Sequence, residues 1–319
     1  MDLLDIQGLT AHFFTRSGVI KAVDNLSLRL GKGHVLGLVG ESGCGKTVTA
    51  LSILNLVPYP GKIVSGKIFF EGRDLLQLPP DEIRAVRGAR IAMVFQEPMT
   101  ALNPVFTVGN QIAEVLTAHD LATKQQARDQ GIELLQSVGI PSPEKRVDEY
   151  PHQLSGGMRQ RVMIAMAIAC KPSLILADEP TTALDVTIQA HILELLARIQ
   201  AEMGMAMMLV THDLGLIAER AHEVAVMYAG RIVEQTETRE LFANPQHPYT
   251  RGLLASIPTP GETGKTRLRT IPGTVPRLYD LPQGCTFSPR CDIRTAKCVT
   301  EPELIEIKPG HLVRCWEAK

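Results

Sequence analysis

No stretch of this sequence stays apolar long enough to cross a bilayer. The longest runs, such as 162–170, fall far short of the roughly 20 residues a spanning helix needs. Any membrane role must therefore come through a partner. A secretory leader is not expected either, because Met1-Asp2-Leu3-Leu4-Asp5 places acids where a basic start would lie. Net charge is lacking too: 33 Lys and Arg against 34 Asp and Glu leave −1. That excludes a broad nucleic-acid-binding face while leaving room for a local basic groove. Cysteine is scarce over most of the chain, with Cys44 and Cys170 lying apart. Cys285, Cys291, Cys298 and Cys315 crowd the last few dozen residues. Internal repeats and low-complexity tracts are absent. What remains is a chain of 319 residues, 45% hydrophobic and 21% charged, which is enough for a sizeable core. The length fits one large domain with an appendage, or two modest domains.

Along the chain, residues 3–39 read as short strands ending in the apolar run Val35-Leu36-Gly37-Leu38-Val39. Helical spacing follows over 46–56, then a strand over 67–70. Residues 97–154 are helical and polar with Pro and Gly punctuation, as in an inserted helical subdomain. From Ser155 helices and strands alternate: helix 156–170, strand 174–177, helix 186–203, strand 207–210. Such alternation implies a parallel sheet. Strands 224–227 and 231–234 flank Tyr228-Ala229-Gly230, an expected hairpin. Beyond Phe242 proline becomes frequent and periodicity fades, which sets a boundary near residue 245.

Two segments carry chemistry on their own residues. Gly40-Glu41-Ser42-Gly43-Cys44-Gly45-Lys46-Thr47 has the phosphate-binding pattern G-x-x-x-x-G-K-[ST], after an apolar strand and opening a helix. Its glycines let backbone N–H groups approach phosphates, and the helix N-terminus favours negative charge. Lys46 would meet the β- and γ-phosphates, and Thr47 would offer its hydroxyl to Mg²⁺. Cys44 fills a variable position as a small spacer rather than a nucleophile. Leu174-Ile175-Leu176-Ala177-Asp178-Glu179 is an apolar strand ending in two carboxylates, where a parallel sheet presents its ligand site. Asp178 suits Mg²⁺, and Glu179 suits orienting and deprotonating water. Standing alone, this second pattern is an ordinary acidic turn.

The segment Leu154-Ser155-Gly156-Gly157-Met158-Arg159-Gln160-Arg161 ties the two together. By itself it is a Ser N-cap with glycines opening a helix, another anion site. Its order before the Asp-Glu strand resembles the signature motif L-S-G-G-Q of the ATP-binding-cassette (ABC) family. Met158 departs from the consensus glutamine, a position at which importer ATPases tolerate variation. The resemblance covers about residues 3–245. It implies an α/β P-loop cassette: a RecA-like parallel core, an antiparallel β subdomain and a helical subdomain over about 97–155. On the same resemblance Gln96 is the Q-loop glutamine that senses Mg²⁺. Asp185, in Ala183-Leu184-Asp185, faces the opposite subunit, and His212 contacts the γ-phosphate. Phe13 stacks on adenine in preference to its neighbour Phe14. Two cassettes would pair head to tail, with each ATP between the phosphate loop of one and the Ser155-Gly156-Gly157 segment of the other. ATP hydrolysis would reopen the pair, and a groove at about 96–155 would receive a permease helix.

The tail points to a branch. Asn244-Pro245-Gln246-His247-Pro248-Tyr249-Thr250-Arg251-Gly252-Leu253-Leu254 resembles the post-cassette segment of dipeptide/oligopeptide/nickel importer ATPases. So do Gly284-Cys285-Thr286-Phe287-Ser288-Pro289-Arg290-Cys291, Val313-Arg314-Cys315-Trp316 and, before the signature, Tyr150-Pro151-His152-Gln153. The branch implies a peripheral ATPase on the cytoplasmic face of a bacterial inner membrane, with residues 246–319 as a Cys-rich extension. Its partners would be two transmembrane permeases, an extracytoplasmic substrate-binding protein and a second ATPase, paralogous or otherwise identical. Nucleic acid is not among them. Di- or oligopeptides are the favoured cargo, with nickel or another small solute as the alternative. A non-transport ABC ATPase ranks lower, because tandem cassettes, coiled-coil insertions and basic arms are all missing.

The tail cysteines, spaced C-x₅-C-x₆-C-x₁₆-C, leave several readings. A reducing compartment argues against disulfides. Unrelated buried thiols, a zinc site and an iron–sulfur cluster remain, and zinc sites usually carry short C-x₂₋₄-C pairs. The resemblance favours a [4Fe–4S] cluster on Cys285, Cys291, Cys298 and Cys315. That cluster is expected to be structural and remote from the phosphates.

Overall fold

The computed structural model describes residues 2–182, 184–257 and 270–319. The chain divides into two compact units. One comprises Met1–Gly31, Val35–Leu76 and Leu209–Lys319; the other comprises Lys32–His34 and Gln77–Met208.

The first unit opens with two long antiparallel strands, β1 (Asp2–Thr15) and β2 (Gly18–Gly31). Then come β3 (Val35–Val39), helix α1 (Lys46–Ile53), β4 (Gly61–Phe70) and β5 (Arg73–Asp74). Strands β1, β2, β4 and β5 form an antiparallel sheet in the order β2-β1-β4-β5. The sequence suggested short strands because bulges interrupt the inward-outward alternation. Register shifts between Ile6 and Leu9 and between Leu9 and Ala11 change which face each residue occupies. Leu4, Ile6, Leu9 and Ala11 are all fully buried across those bulges.

The second unit runs α2 (Pro80–Val86), β6 (Ile91–Val94), α3 (Pro98–Ala101), α4 (Val108–Ala118), α5 (Lys124–Ser137) and α6 (Pro143–Arg146). It continues through α7 (Gly156–Ile168), β7 (Leu174–Asp178), α8 (Val186–Met203) and the start of β8 (Ala206–Thr211). Strands β6 and β7 pair in parallel and are buried throughout, as strands with two covered faces must be. Helix starts are set locally: Thr107, Thr123 and Ser155 each accept a backbone N–H, and Thr123 with Gln126 completes a capping box. Helix α8, expected from the sequence over 186–203, buries Ile192, Leu195, Leu196 and Ile199 in an i, i+3, i+4, i+7 stripe.

Strand β8 returns the chain to the first unit, followed by α9 (Leu214–Arg220), β9 (Glu223–Tyr228), β10 (Arg231–Glu237), α10 (Thr238–Ala243) and α11 (Pro248–Ala255). β9 lies parallel to β3 and antiparallel to β10. Ala229 and Gly230 turn that hairpin with φ of 46° and 86°, the left-handed pair a tight hairpin favours. The tail adds two further strands, β11 (Ile305–Lys308) and β12 (His311–Val313), and β12 pairs with β10. Polar, aperiodic sequence had given no sign of either strand. At the junction the buried Glu234 carboxylate accepts N–H bonds from Gln246 at 2.7 Å and His247 at 2.8 Å, and lies 2.9 Å from His311 Nε2. The 244–254 segment that stood out in the sequence is thus the piece pinned to β10 by a single carboxylate.

Candidate functional site

In the first unit the loop 40–45 joins the end of β3 to α1. Gly45, the residue before α1, is left-handed at φ 109°, and a side chain there would run into the Ala22 carbonyl. At Gly40 a side chain would meet the Met227 carbonyl of β9. The two glycines let the loop wrap tightly against neighbouring backbone. Lys46 is 5% exposed, its Nζ donating to the carbonyls of Gly40 at 2.8 Å and Glu41 at 3.1 Å. Thr47, Ser42 and Gly43 face outward, and Cys44 is buried, with its thiol pKa raised chiefly by that burial. His212 follows β8 and is exposed. Phe13 pairs across the sheet with Ile20 and Gly61, and its ring edge occupies the space a Gly61 side chain would need. Phe14 is 49% exposed.

Glu41, at a variable position of the phosphate-binding pattern, ties the loop to the tail. Its carboxylate forms a two-pronged pair with Arg290, with Nη1–Oε2 at 2.7 Å and Nη2–Oε1 at 3.0 Å. Its N–H donates to the Tyr249 hydroxyl at 2.9 Å, while its carbonyl accepts from Lys46. Arg290 directly precedes Cys291. The sequence analysis placed no tail residue on this loop; the structure brings the Arg290 side chain onto it. No local pattern could have shown it, since the partners lie 249 residues apart.

In the second unit, β7 ends in Asp178, which is 2% exposed. Glu179 follows with φ +43°, a left-handed conformation that costs a non-glycine residue on the order of 1–3 kcal/mol. Such backbone strain gathers at reactive positions. Its Oε2 accepts from Gln96 Nε2 at 3.2 Å and from the Thr182 hydroxyl at 2.9 Å. Thr182 carried no signal in the sequence. Ser155 caps α7 by accepting the Met158 N–H at 3.4 Å. Gly156 and Gly157 lie against Leu184 and Ile188, and a side chain on Gly157 would press on the Ile188 methyl. Asp185 starts α8, and Gln189 fastens the preceding turn by donating to the carbonyls of Thr181 and Leu184. Ala183 of that turn lies outside the described residues. Within the helical part, Pro104, Lys145, Asp148, Glu149, Tyr150 and His152 help line an open cavity of about 620 Å³. The Tyr150 and His152 rings stack there at 5.6 Å.

The tail cysteines share one neighbourhood. Cys285 N–H donates to the Cys298 carbonyl at 3.0 Å, and Gly284, at φ 77°, packs against the carbonyls of Cys298 and Val299. Burial raises the thiols of Cys285, Cys291 (to about 11) and Cys315, and charge on neighbouring cysteines raises them further. Among the described residues, however, no group of three or more His, Cys, Asp or Glu side chains is gathered to hold a metal ion. The expected iron–sulfur ligand set is therefore not assembled here.

The family described as "ABC transporter" matches residues 23–182, and "Oligopeptide/dipeptide transporter, C-terminal region" matches residues 233–298. The dipeptide transport ATP-binding protein DppD of Haemophilus influenzae is 52% identical over 316 residues, spanning 99% of this chain and 95% of that protein. A probable peptide ABC transporter ATP-binding protein, y4tR of Sinorhizobium fredii, is 51% identical over 318 residues, with the same coverage. Among solved structures, the dimeric post-hydrolysis state of an ATP-binding cassette bound to ADP and Pi superposes with a TM-score of 0.65 at 27% identity. It spans 74% of this chain and 99% of its own. With these likenesses running nearly end to end, the chain belongs to the ATP-hydrolysing subunits of the ABC transporter family, in its oligopeptide/dipeptide branch.

Proposed function

We propose that this chain hydrolyses ATP to power a dipeptide or oligopeptide importer that it serves from the cytoplasmic face of a bacterial inner membrane. The observation that carries the reading is its roughly half-identity, over nearly the whole length, to dipeptide transport ATP-binding proteins of several bacteria. Among the described residues no helix is long and apolar enough to cross a membrane, so passage of cargo falls to two permease partners. An extracytoplasmic binding protein delivers the peptide, and a second ATPase, paralogous or otherwise identical, completes the pair. The cavity beside Tyr150 and His152 is the place for a permease's cytoplasmic helix.

The residue roles belong to the same proposal. Residues 40–47 cradle the phosphates, Lys46 neutralises the β- and γ-phosphates, and Phe13 stacks on adenine. Thr47, Asp178 and Gln96 serve Mg²⁺, and Glu179 activates the attacking water. His212 contacts the γ-phosphate, while Ser155, Gly156, Gly157 and Asp185 act on the nucleotide of the opposing subunit. ATP favours the closed pair because it binds both faces, and hydrolysis removes that difference. Residues 1–245 form the cassette and 246–319 the extension.

Co-purification with the permeases, followed by reconstitution with the binding protein, should give ATP hydrolysis stimulated by dipeptide. Stimulation by nickel and not by peptide would reassign the cargo; recovery of ribosomes or DNA in place of permeases would overturn the transport reading.

A [4Fe–4S] cluster on Cys285, Cys291, Cys298 and Cys315 rests on the resemblance of their spacing to the tail of the importer branch, and no step of hydrolysis passes through it. Anaerobically purified protein should be brown, and replacing Cys291 and Cys298 by Ser should remove the colour. Colourless protein with stoichiometric zinc, or with no metal, would reject the cluster.

A further inference from the structure

We propose that Arg290 and Tyr249 are positioning residues for the phosphate-binding loop, acting through Glu41 so that the tail sets nucleotide affinity. The inference rests on the reading of residues 40–47 as the phosphate site and goes beyond it by giving the tail a part in that site.

Glu41 is held at two points from the tail side. Tyr249, fully buried, accepts the Glu41 N–H, and Arg290 grips the carboxylate in a fork-to-fork pair that fixes angle as well as distance. The Glu41 carbonyl in turn accepts from Lys46, the cation expected to meet the phosphates. Loop geometry is thus transmitted in one residue, from carboxylate and N–H on one side to the lysine on the other. Cys44 N–H also donates to the Glu41 carbonyl, at 3.3 Å, closing the turn.

The arginine is itself fixed. Its side chain is 4% exposed, and its Nε donates to the Pro272 carbonyl at 3.0 Å. The guanidinium lies over the rings of Tyr228 and Phe287 at 5.8 and 5.9 Å. Phe287 meets Tyr228 edge-on and packs against Tyr249, so both anchors stand on one aromatic cluster. Tyr228 ends β9, the strand whose Met227 carbonyl backs Gly40. Clamp and loop therefore share a rigid floor, and a buried arginine forked onto a carboxylate is costly to leave half-paired. A tail needing only attachment already has it through the β10–β12 pairing and the Glu234 carboxylate. The Arg290–Glu41 pair instead spends its geometry on the loop.

The test uses the full chain within its transporter complex, titrated with a fluorescent ATP analogue and assayed for hydrolysis. R290Q and E41Q should each raise the KM for ATP about tenfold with kcat changed far less, the pattern of lost ground-state positioning. The two effects should not add in the double variant. Y249F, which removes only the hydroxyl, should shift KM in the same direction by a smaller factor. The exchange E41R/R290E should recover part of the affinity, and this variant keeps the idea testable should R290Q unfold. Unchanged KM in a folded R290Q, or additive effects of R290Q and E41Q, would overturn the proposal while leaving the phosphate-site reading intact. Wild-type protein that binds no ATP at all would instead overturn that reading.

Discussion

Gln96 donates its side-chain N–H to the same Glu179 oxygen that accepts the Thr182 hydroxyl, at 3.2 and 2.9 Å. Both donors are neutral, so they orient the carboxylate without themselves adding positive charge, which suits the role of base proposed for Glu179. Glu179→Gln keeps size and most hydrogen bonding but removes the proton acceptor. ATP turnover in the assembled transporter should fall by about a hundredfold or more while ATP binding persists, and a closed, ATP-loaded pair should accumulate. Near-normal hydrolysis would remove Glu179 from its role.

Lys46→Ala acts earlier in the cycle. The ammonium is held by two loop carbonyls and, in the role proposed for it, is the point charge offered to the β- and γ-phosphates. Its loss should weaken ATP binding itself, readable by equilibrium titration. Unchanged affinity together with unchanged turnover would contradict the assignment.

The adjacent aromatics separate by substitution. Phe13→Ala should weaken binding of the adenine ring modestly, and Phe14→Ala should matter less. The outward exposure of Phe14 makes it the sharper comparison, because its removal costs little packing. The reverse order in nucleotide titrations would move the adenine contact to Phe14.

His247 gives a pH signature. Burial, aided by the nearby charges of Arg251 and Arg314, lowers its pKa from the usual 6.5 to about 3. The ring stays neutral in the fold and accepts the Tyr249 N–H through Nδ1 at 3.1 Å. The unfolded chain takes up a proton below about pH 6.5 that the folded chain refuses, so stability falls as pH drops from there toward 3. Between pH 6.5 and 5 this single group should cost about 2 kcal/mol at most. His247→Asn replaces the ring nitrogen by an amide oxygen that can still accept the Tyr249 N–H, and it should flatten that acid limb in denaturant titrations. An unaltered limb would assign the acid sensitivity to other groups.

How much was readable in advance follows from sequence distance. The phosphate loop, the Asp178-Glu179 strand end and the Ser155 cap are each set by a few consecutive residues, and α8 by a repeating stripe. All of these were visible. The partners of Glu41, the Thr182 contact to Glu179 and the strands β11 and β12 were not. Glu41 reaches Arg290 only after the chain has folded back on itself, and nothing near either residue encodes the other. β12 is three residues long, too short for alternation to register. The four-cysteine spacing was legible as a pattern, yet spacing fixes neither the ligand nor the approach of the sulfur atoms.

The pairing of β12 with β10 bears on how the chain is made. β10 is synthesised well before residues 311–313 that will cover its edge. Until then its backbone groups lie open, and the Glu234 carboxylate waits without His311. An open strand edge is a template for unwanted pairing with other chains. Vectorial synthesis therefore leaves a nascent intermediate in which β10 stays bare at Glu234 and Gln235 until β12 arrives. Ribosome-stalled chains ending before residue 305 should bind holdase chaperones that the finished chain escapes.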